Sequence, residues 1–201
     1  MSSRPLVCLV LGAALLAGCS GSESTLDEAQ LPRLVLQPDD LGEEYEQFDE
    51  GRLAIADRPP GPRSDPGRFG RVDGWKARYR SVDASGPTAG EVLESRADLF
   101  AEGNGAHSDL AAQRDELASR SSGGGELSAR QGLGDEAFLL TRPPLPGGRA
   151  RFVTVAWRYA NVTASVLLTT ARADPTAAAM RLARLQQGRM KAAEENSHPP
   201  G

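Results

Sequence analysis

The chain has 201 residues and a formal net charge of −4 at pH 7, with 39% hydrophobic and 25% charged residues. This length and balance suit one domain with short tails, large enough to bury a hydrophobic core. The excess of acidic residues argues against a nucleic-acid partner and against general adhesion to anionic lipid.

The N-terminus carries a targeting pattern. Arg4 precedes an apolar run over residues 6–17, which is too short for a permanent membrane-spanning helix and is typical of a secretory signal. The run closes in Leu-Ala-Gly-Cys ending at Cys19, which resembles the lipobox of bacterial lipoproteins. In that family the cysteine sulfur receives a diacylglyceryl group, and cleavage makes the cysteine the new N-terminus. An ordinary signal peptide with an incidental cysteine, and a single-pass anchor, are the alternatives.

The lipobox resemblance implies a division of the chain. Residues 1–18 are expected to be a signal peptide, Cys19 the lipidation site and 19–30 a flexible tether, so that the N-terminal lipid holds the protein on the cell membrane, facing the outside of the cytoplasm. Cys8 leaves with the signal. The mature domain then has no disulfide, no cysteine nucleophile and no thiolate metal site, and its stability must come from packing.

The sequence of residues 31–82 predicts one clear strand. Residues 31–36 are the first segment able to bury apolar groups, and Tyr45 and Phe48 are expected to be aromatic anchors in a solvated segment. The prolines and glycines of residues 58–70 indicate a loop. Aromatic or small residues alternate with basic ones over residues 72–82, which predicts a half-buried strand.

Residues 88–118 predict two helical pieces. Thr88 and Glu91 have the spacing of a capping box, and the apolar residues of 92–100 fall on one helical stripe. Gly-Asn-Gly at 103–105 is expected to end the first helix, and the second piece follows it.

Residues 132–137 formally match G-x-G-x-x-A, a dinucleotide-binding fingerprint. That fingerprint must follow a strand and open a helix. Here residues 138–141 look like a strand, and no parallel βαβ unit follows. We therefore predict a tight turn with Gly134 at positive φ, and no cofactor.

The clearest strands are residues 149–159 and 162–170, which are rich in valine, threonine and aromatic residues. A two-residue turn at Ala160 and Asn161 would pair the strands into a hairpin. Alanine in a type I′ turn requires a positive φ, at a cost of about 1 kcal/mol.

The hairpin register assigns two faces. If Tyr159 pairs with Val162, alternate residues such as Trp157 and Val166 share an almost wholly apolar face, which is predicted to be the core under the helices. The opposite face is smaller and more polar, and is predicted to be open to water, a loop or a ligand. Its candidate binding residues are Phe152, Thr154, Arg158, Thr163 and Ser165.

The C-terminal segment predicts a last helix. Asp174 is expected to cap it and Pro175 to occupy its first position, where the missing N–H is harmless. The helix is predicted over residues 174–192, and residues 193–201 are expected to be a disordered tail. The domain itself is therefore placed at residues 31–192.

The residues that carry chemistry are sparse. His107 and His198 lie too far apart to make an ordinary zinc site, and no nucleophile motif accompanies His107, which is expected in an exposed loop. Adjacent carboxylates at 39–40, 43–44 and 135–136 would point opposite ways on a strand. We therefore predict no catalytic residue and no metal ligand. Two distant carboxylates could still meet in the fold.

A second resemblance lies in the C-terminal half. Residues 133–137 (LGDEA), residues 155–162 (VAWRYANV) and the Ala-Leu-Arg helix that follows resemble a pattern in lipoproteins of high-GC bacteria, similar to the sensor-domain and PsbP-like class. The resemblance implies an antiparallel sheet flanked by helices, without enzymatic activity, placed outside the membrane.

Together these patterns predict a single α+β domain, an antiparallel sheet of at least four strands flanked by the helices near 88–118 and 174–192. The favoured function is a membrane-anchored extracytoplasmic module, not an enzyme, that binds or senses a small molecule or an envelope protein. An envelope hydrolase and a structural accessory of an envelope complex are the alternatives. A perturbed carboxylate in a pocket would favour the hydrolase, an apolar cleft would favour ligand binding, and a flat exposed patch would favour a protein partner.

Overall fold

The computed structural model describes residues 25–54, 57, 61–65, 67–83, 85, 89–120, 125–144 and 146–197. The expected signal peptide and Cys19 lie outside these residues, as do Thr88 and His198. No helix in the described part of the chain has both the length and the apolar character that crossing a membrane requires.

One antiparallel sheet of seven strands organises the domain, in the order β1-β2-β3-β7-β6-β5-β4. The helices are α1, α2 and α3. The predicted α+β class, with an antiparallel sheet and flanking helices, is confirmed. The bounds are β1 Tyr45–Arg52, β2 Arg71–Ser81, β3 Val92–Phe100, β4 Glu126–Ala129, β5 Glu136–Arg142, β6 Arg151–Tyr159, β7 Val162–Thr170, α1 Pro38–Leu41, α2 Gly103–Arg120 and α3 Pro175–Ser197.

The first face of the sheet carries the main core. Trp157 and Val166 are fully buried there, beneath α3 and the N-terminal segment that includes Leu34. Leu182 and Met190 are buried on the sheet-facing side of α3. This arrangement confirms the predicted core face of the hairpin.

The hairpin has the predicted register. Tyr159 pairs with Val162, and the pairing continues to Val155 opposite Val166. Ala160 has φ +52°, a positive value rare for alanine, whereas Asn161 does not share it. The turn is therefore not of type I′, because that type needs positive φ at both central residues.

The domain begins earlier than expected. The side chain of Asn161 accepts a hydrogen bond from the Leu26 amide at 2.9 Å and donates to the Leu26 carbonyl at 3.0 Å. Leu26 is buried, and a 3-10 helix follows at Glu28–Arg33. Residues 26–30 therefore belong to the folded domain and not to a tether.

The last helix is longer than predicted. Asp174 caps it as expected, accepting from the Ala177 amide at 2.9 Å, but α3 continues to Ser197. Ala193 is buried, and its carbonyl accepts a hydrogen bond from Gln30 at 2.7 Å. Contact with the N-terminal segment thus extends the helix past residue 192, into the segment expected to be a tail.

The prediction of a helix that begins at residue 88 is wrong. Residues 92–100 form β3, which lies between β2 and β7 in the middle of the sheet. Two neighbouring strands satisfy its backbone, and this pairing overrides the helical spacing of its apolar residues. Gly-Asn-Gly opens α2 instead of ending a helix. Position 105 requires glycine, because a Cβ there would overlap the carbonyl oxygen of Phe69.

Glu91, expected to complete a capping box with Thr88, does not cap a helix. Its buried carboxylate accepts hydrogen bonds from Arg172 at 2.7 Å and from Thr170 at 2.6 Å, and the Tyr45 hydroxyl also donates to it. Glu91 thereby ties the start of β3 to the end of β7.

Gly134 has the predicted positive φ, +48°, in the turn before β5. A Cβ there would overlap the carbonyl oxygen of Arg158 and crowd the Trp157 ring at 3.0 Å. Gly132, in the same turn, has φ +82° and open space around its missing Cβ.

We expect Gly134→Ala to lower the free energy of unfolding by at least about 3 kcal/mol, because backbone overlap adds to the strain of positive φ. Gly132→Ala is the matched control and should cost only about 1 kcal/mol, for strain alone. Denaturant unfolding of the two variants measures the difference. Equal losses of unfolding free energy would mean that the turn rearranges to accommodate the new Cβ. The close approach to Arg158 would then have no special role.

Candidate functional site

Helix α2 lies on the second face of the sheet. Its Leu110 packs against Phe138 and Ala156, and Leu117 and Leu127 border this cluster. The helix thus covers only part of the second face, because it ends at Arg120.

A groove of about 530 Å³ lies where the cover of α2 ends, a size that suits a small organic ligand. Strands β5, β6 and β7 form its floor, and the proline-rich turn after β5 forms one wall. Its described lining is Leu117, Gly125, Leu140, Arg142, Pro143, Pro144, Pro146, Phe152, Val153, Thr154, Leu167, Leu168 and Thr169.

The floor of the groove presents large apolar side chains to solvent. Phe152 and Leu167 are each 39% exposed, and Val92 is exposed beside them on the same face. Thr169 pairs with Phe152 on one side and with Val92 on the other, which makes this apolar strip continuous across three strands. Contiguous exposed apolar surface of this kind marks binding sites on soluble domains.

Arg142 is the only charged residue that lines the groove among the described residues. It ends β5, opposite Phe152, and its side chain is half-buried. Its Nε and Nη2 atoms are buried and make no hydrogen bond to any residue that the structure describes. The groove therefore combines apolar walls with one cation.

The five candidate binding residues divide into three groups. Phe152 and Thr154 line the groove, as an open face predicts. Thr163 and Ser165 are buried, so the expectation that they are open is wrong. The cause is α2, whose Asp109 accepts a hydrogen bond from Thr163 at 2.9 Å. The hairpin pattern predicts both helices on the opposite face.

Arg158 lies at the other end of the sheet face, away from the groove. It is paired with Asp135 at 3.1 Å and with Glu136 at 3.1 Å. His107, expected in a loop, lies in α2, and its Nδ1 is 2.7 Å from Glu136. Burial alone would raise the pKa of Glu136, but hydrogen bonds from His107 and Arg158 outweigh it and lower that pKa.

A buried ionic cluster occupies the region between α2 and β3. Arg63 donates two hydrogen bonds to Asp109, at 2.7 and 3.0 Å, and Arg96 donates to Asp98 at 2.6 Å. Burial alone would raise the pKa of Asp98, but the charges of Arg96 and Arg71 outweigh it and hold that pKa below its ordinary value. Asp98 is therefore ionised at neutral pH and acts as a structural anion.

A second ionic cluster joins β1 and β2 to Asp57. Lys76 Nζ lies 2.7 Å from Oδ1 of Asp57 and 2.9 Å from Oδ2 of Asp49. Arg78 Nε lies 2.6 Å from Oε2 of Glu94. No group of three or more metal-ligating side chains occurs within the ranges that the structure describes.

Sequence reasoning missed three features of the groove: Arg142, Leu167 and the proline-rich turn as a wall. Leu167 lies on the face that the sequence pattern marks as smaller and more polar, and it is not among the candidate binding residues. Arg142 stands between the strand at β5 and Pro143-Pro144. No sequence signal shows that its Nε and Nη2 lack an acceptor among the described residues, because that depends on which carboxylates the fold brings near.

The fold is similar to that of the extracellular domain of PknH from Mycobacterium tuberculosis. The TM-score is 0.58 at 8% sequence identity, and the match covers 86% of this chain and 99% of that domain. No protein-family model matches the chain. No curated protein matches it either. At this identity the likeness shows the fold alone.

Proposed function

We propose that the chain is a lipid-anchored extracytoplasmic module, not an enzyme, that binds a small molecule in the groove between α2 and the turn after β5. One observation carries the proposal: the strip formed by Val92, Phe152 and Leu167 stays exposed in a domain that buries its other large strand side chains nearby. These side chains are 39–41% exposed, so covering one of them completely would gain roughly 40% of the about 1.5–3 kcal/mol that full burial of such a side chain contributes.

The surroundings of the strip favour a small ligand over a flat protein interface. Phe152 and Leu167 of the strip line the groove, Val92 lies beside it, and Arg142 gives the groove one polar contact point. Apolar walls with few polar groups are the usual composition of small-molecule sites.

The buried carboxylates support a binding role over catalysis. Glu91, Asp98 and Asp109 are buried, and each accepts hydrogen bonds from an arginine. A carboxyl group that serves as a general acid needs a raised pKa, whereas the pKa of Asp98 is lowered. None of the three lines the groove.

The membrane anchor in the proposal rests on the lipobox resemblance around Cys19. The PknH domain with the similar fold is described as extracellular, which agrees with a position outside the cytoplasm. Folded chain is present from Leu26 onward. A link from residue 19 to residue 26 spans at most about 25 Å, so the domain would stay close to the bilayer.

The test of the groove uses N-phenyl-1-naphthylamine, a neutral dye that fluoresces in apolar sites. The full chain carrying Cys19→Ala is the background, because it can be prepared without acyl chains or detergent. Phe152→Ser in this background is expected to weaken dye binding at least fivefold, by removing the aromatic floor.

Phe48→Ser is the matched control. Phe48 is a strand phenylalanine of similar exposure, 48%, and it lies on β1, outside the groove. Its variant should bind the dye as the background chain does. Equal binding by the Phe152 and Phe48 variants would show that the dye enters elsewhere and would contradict the proposed site.

A further inference from the structure

The unpaired nitrogens of Arg142 lie on one edge of its guanidinium. The Nε–H and Nη2–H bonds of arginine point the same way, and together they match the two oxygens of a carboxylate. In Arg142 both of these nitrogens are buried and make no hydrogen bond within the described chain.

The same pair of nitrogens holds a carboxylate at three other places in the described part of this fold. In Arg96, Nε and Nη2 donate to the two oxygens of Asp98 at 2.6 and 3.1 Å. In Arg63, Nε and Nη2 donate to the two oxygens of Asp109 at 2.7 and 3.0 Å. In Arg172, Nε and Nη2 donate to the two oxygens of Glu91 at 2.7 and 3.2 Å. Arg142 presents the same edge with no carboxylate of the described residues bonded to it.

Burying two guanidinium nitrogens without an acceptor is costly, because burial removes their hydration and no carboxylate among the described residues replaces it. An arginine at the end of a strand could extend its long side chain into water and avoid this cost. Arg142 instead lies against the groove, beside Pro143 and Phe152. A ligand anion in the groove would supply the acceptor that Nε and Nη2 of Arg142 lack among the described residues.

We propose that the groove binds an amphiphilic carboxylate, with the head group paired to Nε and Nη2 of Arg142 and the aliphatic or aromatic body over Phe152 and Leu167. This inference rests on the proposed function and specifies its ligand. Because both nitrogens are shielded from water, this pairing requires the guanidinium to turn toward the groove as the head group enters.

The test compares three ligands that share a twelve-carbon tail: dodecanoate, dodecanol and dodecylammonium, each below its micellar concentration. Their displacement of N-phenyl-1-naphthylamine is measured on the full chain carrying Cys19→Ala. Dodecanoate is expected to displace the dye at a concentration at least about tenfold lower than dodecanol, because a charge-assisted pair adds to the apolar contact. Dodecylammonium should be the weakest of the three.

Two variants test the role of Arg142 in this preference. Arg142→Gln should remove the difference between dodecanoate and dodecanol, and Arg142→Glu should make dodecylammonium the strongest competitor. Arg142→Gln should also melt at the same or a higher temperature than its background, since it removes a half-buried charge whose Nε and Nη2 have no acceptor among the described residues.

The two proposals fail in different ways. If dodecanoate and dodecanol compete equally and Arg142→Gln changes neither, the groove is a site but the carboxylate inference is wrong. A lower melting temperature for Arg142→Gln would also contradict it, by showing that the guanidinium stabilises the fold. If no amphiphile displaces the dye and Phe152→Ser leaves dye binding intact, the groove itself is not the ligand site.

Discussion

Val166→Asp is expected to leave the domain unfolded at room temperature. Val166 is fully buried on the first face, between Val155 of β6 and Ser95 of β3. A carboxylate at this position would lose its hydration in an apolar core without gaining a partner. That loss is several kcal/mol, which is comparable with the whole stability of a domain. Circular dichroism of the full chain should show no cooperative melting transition.

Leu167→Asp is the control for this prediction. Leu167 is the next residue in the same strand, so its side chain points to the other face, where it is 39% exposed. The aspartate would remain hydrated, and the melting temperature should change by only a few degrees. A folded Val166→Asp variant, or equal unfolding of both variants, would contradict the assignment of the two faces.

Cys19→Ala is expected to move the protein from the membrane fraction to the soluble fraction. Each buried methylene of an acyl chain contributes about 0.8 kcal/mol to membrane attachment, and two chains hold far more firmly than one. Cell fractionation followed by immunoblotting measures the change.

Cys8→Ala is the matched control, since Cys8 lies within the apolar run and not in the lipobox motif. This variant should stay in the membrane fraction. If Cys19→Ala also stays there and resists extraction, the protein is held by something other than a lipid on Cys19.

The C-terminal half was predictable because its signals are local. The strands on either side of Ala160 alternate strictly enough that only one register buries an apolar face, and that register is observed. Asp174 followed by Pro175 marks a helix start within two residues. Such signals need no knowledge of distant contacts.

Strand β3 was not predictable from its own residues. Its apolar positions fit a helical stripe, and an apparent capping box precedes them. Its strand conformation depends on pairing with β2 and β7, which lie far away in sequence. The side chain of Glu91 forms its contacts with Arg172 and Thr170 through the same long-range pairing.

The misplaced helix also explains which part of the candidate site was wrong. Both predicted helices were expected on the first face, whereas α2 lies on the second face and buries Thr163 and Ser165. Phe152 stays exposed beyond the end of α2. Arg142 becomes notable only in three dimensions, because its neighbours in the fold decide whether Nε and Nη2 find an acceptor among the described residues.

Photo-crosslinking on the full chain tests the central claim, that the groove on the second face is the ligand site. A dodecanoate with a diazirine on its tail is irradiated with the protein, and mass spectrometry identifies the modified residues. The account predicts modification at Phe152, Thr154 or Leu167, suppressed by excess unmodified dodecanoate. Modification spread along the chain, or concentrated on β1 or α3, would contradict it.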